Sequence, residues 1–312
     1  MKKVIYINYL LLNTLIMLAF NGHINASVEG DINFKTAYRI DNFRWNIPGN
    51  ISGNNVNILS ELTWSNIEIL QFTIGGKLLI SDAIYIRGSI GYGIILNGKN
   101  QDSDYFGNNR TLEFSRSNNQ ANKGDVWDIT LGIGYKITAI SKKLFIYPIG
   151  GFSYNAQNLR MTDGFQTLDP YGQIGFTGPF SGLNSTYDAK WFGLWTGFDL
   201  NWKIIKELSL TLGFEVHFTS YTAEADWNLR QDFLHPKSFK HEAFGMGINL
   251  SVCIAYDLTD NWVINTEFTY LNWWTNRGID RTYMANGTII EGNINEVLWK
   301  SFSISLGVNY KF

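Results

Sequence analysis

Cysteine is all but missing from these 312 residues: Cys253 is the only one, so no intrachain disulfide can form and no thiolate set for a metal exists. Histidine is scarce as well. Beyond residue 26 only His217, His235 and His241 remain, and their spacing matches no metal-ligand pattern, so neither a metal nor a cofactor is expected. There is no excess of positive charge, the formal net being -2, which removes nucleic acid from the expected partners. No glycine loop of the phosphate-cradling kind occurs. The apolar stretch Leu10 to Phe20 is too short for a stop-transfer helix, and no Pro/Ser-rich linker divides the rest.

What is present explains these gaps. Lys2 and Lys3 precede the apolar stretch, and Ile24-Asn25-Ala26 offers a cleavage site before Ser27, which predicts a signal peptide over 1–26 and one mature domain over 27–312. The chain is rich in aromatics and glycine, with 21 Phe, 16 Tyr, 11 Trp and 30 Gly. Transmembrane barrels use such aromatics in interfacial girdles, and they lack long apolar runs because lumen-facing residues are polar.

Alternation supplies the main argument, since successive side chains of a strand point to opposite faces. At the C-terminal end Phe302, Ile304, Leu306, Val308, Tyr310 and Phe312 alternate with Ser303, Ser305, Gly307, Asn309 and Lys311. Nine further segments repeat the pattern, among them Ile84 to Tyr92, Trp127 to Tyr135, a fifth segment from Leu144 to Leu159, Leu208 to Phe218 and Phe244 to Val252. Short turns near Ser81-Asp82, Ser141-Lys142, Ile205-Lys206 and Asp260-Asn261 alternate with long connections near 42–56, 97–124, 161–183, 221–241 and 272–296. The predicted fold is all-β: a ten-stranded antiparallel transmembrane β-barrel in a Gram-negative outer membrane, with lipid around it and the long loops extracellular. A soluble β-sandwich also alternates, but it has no need of ten apolar faces of similar length capped by aromatics. Lumen charges should compensate one another, with Lys35, Arg39, Lys77, Arg87 and Lys136 set against Asp128, Asp199, Glu215, Asp257 and Glu267. By the same parity His217 projects inward beside Glu215.

The stretches Ser60-Glu61-Leu62-Thr63-Trp64, Gly88-Ser89-Ile90-Gly91-Tyr92 and Gln101-Asp102-Ser103-Asp104-Tyr105, with the strand count and loop order, resemble the omptins, outer-membrane endopeptidases. That resemblance implies that Asp102 and Asp104 match one half of an omptin catalytic site. The other half, an Asp-x-His, does not match: Asn228 and Arg230 stand there, and an arginine cannot take up a proton near neutral pH. Asp226 aligns with an acidic residue of the omptin specificity pocket, or joins Arg230 in an ion pair of the polar rim. A shifted alignment offers Asp232 and His235 as the pair, which requires a turn between them, in keeping with Pro236.

A second resemblance rests on Glu113 to Asn119, Leu159 to Thr167 and Asp226 to Arg230, which look like the outer-membrane proteins named for Protochlamydia, some described as porins. Three readings follow: a narrow pore for ions or small solutes, an endopeptidase acting on peptides, and a surface module for a host-surface ligand. A wide diffusion pore is disfavoured, because about 8 strands enclose a lumen filled by side chains and aqueous channels need roughly 16.

Overall fold

The computed structural model describes residues 27–51, 54–138 and 143–312; the expected signal peptide and the turn expected at Ser141-Lys142 fall outside them. Each alternating segment forms a strand. In order they are β1 (Val28–Ile51), β2 (Asn54–Ile80), β3 (Ile84–Tyr105), β4 (Glu113–Gln120), β5 (Gly124–Tyr135), β6 (Ile137–Thr138) and β7 (Leu144–Leu168). There follow β8 (Gly178–Lys203), β9 (Leu208–Asp226), β10 (Phe239–Asp257), β11 (Trp262–Thr275), β12 (Gly278–Tyr283), β13 (Ile289–Ile294) and β14 (Glu296–Lys311). β4 to β6 are successive pieces of one stave, as are β11 with β12 and β13 with β14, so the ring has ten staves. It closes where β1 pairs antiparallel with β14, from Asp31 opposite Lys311 to Asn46 opposite Glu296.

Local chemistry sets the turns and breaks. At the β2–β3 turn Ser81 and Asp82 both take positive φ, and the Ala83 N–H donates to the Ile80 carbonyl at 3.1 Å, the mirror-image turn that matches strand twist. Gly124, where β4 gives way to β5, has φ +121°, and a Cβ there would lie 1.9 Å from the Asn158 carbonyl oxygen. Only glycine fits.

The outward residues form an apolar belt. Leu194 and Leu306 are each 68 % exposed and Ile74 is 62 % exposed, values that call for lipid rather than water around them. Tyr38, Tyr92, Trp127, Phe192, Phe218 and Phe302 ring the belt toward the long connections, and Tyr135, Trp202, Tyr256, Trp262, Tyr310 and Phe312 ring it toward the short turns. Exposed Asn42, Asn66, Lys99, Lys190 and Lys300 mark the upper border.

Above that border the staves continue, and here the structure departs from the sequence reading. Much of 42–56, 97–124, 161–183, 221–241 and 272–296 is strand rather than loop, and the fifth stave runs to Leu168 rather than Leu159. On β1 the side-chain parity is unchanged, whereas irregularities between Ser65 and Ile69 on β2 and at Leu96-Asn97 on β3 shift it by one; in each case the apolar face moves from outside to inside. On β1, Ala37, Arg39 and Asp41 face inward within the belt, and Phe43 and Trp45 face inward above it. The cause is the change of solvent: lipid outside the belt, water outside the extension.

Inside, a layer of Trp64, Tyr187, Trp191, Tyr221, Trp273 and Trp299, none more than 1 % exposed, fills the upper lumen. Beneath it lies a polar network. Lys35 pairs with Glu267 at 2.7 Å, Arg39 with Asp41 and Asp128 at 2.6 Å each, and Arg87 with Asp199 at 3.0 Å and Glu215 at 2.5 Å. Two expected members lie elsewhere: Lys136 pairs with Asp82 at the short-turn end, and Asp257 meets Lys311 at 2.7 Å. Asp41, which the sequence reading did not include, takes a central place because its two oxygens accept the Arg39 Nε and Nη2 donors that Asp128, bonded to Nη1, leaves free.

Candidate functional site

Asp102 and Asp104 are two residues apart on β3 and share its inner face above the belt. β2 sets Leu62 and Ser60 beside them, and β4 sets Ser117 and Ser115 on the other side. Enclosure by these strands and the neighbouring Asp104 carboxylate push the Asp102 carboxyl well above the usual range, although Arg230 pulls it down. Burial likewise raises Asp104, to about 6, against a Ser60 hydrogen bond and Arg230, both of which lower it. One Asp102 oxygen, Oδ1, is buried with no hydrogen-bond partner.

Arg230 is therefore the group that faces the acid pair. Its guanidinium is held on Asp232 by two bonds, Nε to Oδ1 at 2.9 Å and Nη2 to Oδ2 at 2.7 Å, and it lies 4.1 Å over the Phe233 ring. A fixed cation there stabilises carboxylates and cannot act as a base.

The sequence-derived pairings are rearranged. Asp232 and His235 do not pair, and neither do Asp226 and Arg230. His235 Nδ1 instead meets Asp226 Oδ1 at 2.6 Å, and its Nε2 lies 3.2 Å from the Arg230 carbonyl oxygen. Both ring nitrogens thus face acceptors, an arrangement that favours imidazolium, and the Asp226 hydrogen bond raises the His235 pKa. Chain folding between Trp227 and Ser238 decides this. Trp227 N–H donates to Ser238 Oγ at 2.8 Å, which brings residue 235 back to 226 and leaves Asp232 to Arg230. Asn228 serves as a clip: its Oδ1 accepts from Asn184 N–H at 2.9 Å and Ser185 Oγ at 3.1 Å, and its Nδ2 donates to the Gly182 carbonyl at 2.7 Å.

Two buried histidines deserve the same description. His241 Nδ1 lies 2.8 Å from the Tyr187 hydroxyl, which is 2.6 Å from that of Tyr221, and His241 Nε2 lies 3.4 Å from Asp280. In the sequence His241 falls at the end of the long connection expected near 221–241. Its parity with Ala243 and Gly245, opposite outward Phe244, was the signal that it faces inward. His217 faces the lumen as its alternation implied, between Ser153 and Glu215. Among the described residues no group of His, Cys, Asp and Glu could hold a metal ion.

A sequence-family model described as Protochlamydia outer membrane protein matches residues 33–312. No curated protein matches the chain. Among solved structures, the outer membrane protease OmpT from Escherichia coli is similar with a TM-score of 0.70 at 14 % identity, covering 91 % of this chain and 96 % of that one. The translocator domain of the autotransporter NalP from Neisseria meningitidis is similar with a TM-score of 0.40 at 10 % identity, covering 100 % and 98 %. Ail, the attachment invasion locus protein of Yersinia pestis, gives 0.27 at 8 % identity, covering 91 % and 98 %. The ring of staves, the lipid-facing belt and the match along nearly the whole described chain agree: this is a bacterial outer-membrane barrel of omptin-like fold, and it belongs to the Protochlamydia outer membrane protein family.

Proposed function

We propose that the protein is a closed surface barrel, a scaffold that presents its upper hairpins to ligands outside the cell and neither conducts solutes nor cleaves peptides as an omptin would. One observation carries this reading: the Trp and Tyr layer across the upper lumen is excluded from water at every one of its large side chains. A packed layer of that kind leaves ions no hydrated path, and desolvating an ion costs far more than thermal energy supplies.

The upper rim supports the binding half of the proposal. Leu112, Phe165, Tyr171, Ile174, Phe176 and Ile289 are 41 to 59 % exposed, although they lie beyond the belt where lipid cannot cover them. Phe106 stacks on Phe114 at 4.1 Å and meets Tyr171 at 5.6 Å, so the β3–β4 and β7–β8 connections share one aromatic patch. Exposed apolar patches on rigid scaffolds are common contact surfaces. Against proteolysis stand the cation at Arg230 and the engaged ring nitrogens of His235, which leave the acid pair without a base.

Planar-bilayer recording on the purified barrel is the test. No stepwise conductance is expected from the native protein. Steady unit conductance that disappears when the protein is omitted would overturn the closed-barrel reading.

A further inference from the structure

We infer that the lumen holds an esterase-like serine site, separate from the outer mouth, that takes small polar esters entering from the short-turn end. Ser153 on β7 places its Oγ 3.0 Å from His217 Nδ1, and His217 Nε2 lies 2.8 Å from Glu215 Oε2 on the same strand, β9. Glu215 is held in turn by Arg87 at 2.5 Å. A nucleophile, a base and an acid that orients the base therefore stand in one connected line.

Trp273 Nε1–H donates to Asn249 Oδ1 at 2.7 Å, which turns the Asn249 amide nitrogen toward His217 Nε2 and Glu215. That amide nitrogen lies 2.9 Å from His217 Nε2 and 3.1 Å from Glu215 Oε2, and the carboxylate oxygen lies 2.8 Å from the same Nε2; in the site as inferred the carboxylate takes the Nε2 proton, which leaves the Nδ1 lone pair facing the serine hydroxyl. Trp195 and Trp273 flank the imidazole with ring centroids at 6.0 and 4.7 Å, which holds its plane.

Room for a substrate exists beside the line. Ser153, His217 and Glu215 border a cavity of about 260 Å³ beneath the aromatic layer. A second cavity of about 370 Å³ shares Lys35, Lys77, Asp199 and Cys253 with it and reaches Lys206 and Glu207 in the β8–β9 turn. The pair forms a well closed above and open below. Thr130 lines it directly across from Ser153 in the β5–β7 register, and its buried hydroxyl has no hydrogen-bond partner. That free O–H is a donor for a developing oxyanion. The volume suits a small acyl group, and the compensated ion pairs around it suit a polar, uncharged substrate.

In the first step Ser153 Oγ bonds to the ester carbonyl carbon as its proton passes to His217 Nδ1, and the carbonyl oxygen becomes an oxyanion beside Thr130. Collapse expels the alkoxide, which takes that proton and leaves as the alcohol. Water then adds to the acyl-serine with His217 as base, releasing the acid and restoring Ser153. Glu215 acts through the imidazole and is a positioning residue.

The experiment uses the whole purified barrel in detergent, its folding checked by gel mobility without heating. Diisopropyl fluorophosphate is added, whose phosphorus is attacked by the serine oxygen with loss of fluoride, and the modified residue is mapped by mass spectrometry on the native protein. Modification at Ser153 is expected, with the rate falling at least about 100-fold in His217→Gln. Glu215→Ala should also slow it, and Glu215→Asp should restore part of the rate, which a packing role alone does not give. Hydrolysis of p-nitrophenyl acetate should fall to background in Ser153→Ala. An intact barrel whose Ser153 stays unmodified, or unchanged ester hydrolysis in Ser153→Ala, would overturn the inference.

Discussion

The acid pair at the mouth is governed by enclosure, and enclosure has a sign. Burial raises the Asp104 carboxyl to about 6, so its protonated form is favoured in the folded protein. An acid raised above its unfolded value stabilises the fold at low pH and loses that contribution as pH rises from about 4 through about 6. Asp104→Asn removes the penalty. The variant should therefore be more stable than the native barrel at pH 8, by up to about 3 kcal/mol, with the advantage vanishing near pH 4. Urea unfolding followed by tryptophan fluorescence at both pH values measures it; an equal difference at both would refute it. His235 has linkage of the same sign from a different cause, a hydrogen bond to Asp226 rather than burial: its pKa is raised, so the contribution is present at low pH and lost as pH rises through the folded value. Limited proteolysis between Trp227 and Ser238 should speed up in His235→Ala at pH 5 and match the native rate at pH 9.

Among the elements, β14 bears most directly on assembly. Its outer face, Phe302 to Phe312, is the most regular part of the belt, and its edge closes the ring on β1 through sixteen opposed residue pairs. Tyr310 and Phe312 are 43 and 56 % exposed at the lower girdle, where lipid covers them. Replacing both with Ser removes apolar area from the interface without touching the lumen. Outer-membrane yield of the double variant should fall several-fold, as read by immunoblot of membrane fractions against total protein. Unchanged yield would mean that closure does not depend on this girdle.

At the scale of the whole molecule the barrel has two surfaces of opposite character joined end to end. Within the belt the apolar side faces out and ion pairs fill the lumen; above it the aromatic side faces in and polar residues face water. We expect the long-connection end outside the cell. An impermeant amine reagent on intact cells should label exposed Lys99 and Lys123 and spare exposed Lys206, and all three should react after the envelope is opened. Labelling of Lys206 on intact cells would reverse the orientation.

Alternation alone is enough to give the number of staves, the inward face of each within the lipid, and hence that Arg39, Arg87, Glu215 and His217 share a lumen, because a period of two is written in every segment that lies in lipid. The sequence also placed Asp102 and Asp104 on one face, while the place of Arg230 in a site was only what the omptin resemblance implied. It misread the upper staves as loops, since alternation there runs polar outside and aromatic inside, and a reader who expects the apolar face to stay outward sees only irregular, Asn-rich sequence. Tertiary structure alone decided who partners whom: His235 with Asp226, Arg230 with Asp232, Asn228 with the start of β8. Those partners depend on how the chain between Trp227 and Ser238 folds back on itself, and on strands that meet only when the ring has closed, a geometry that no local pattern of residues encodes.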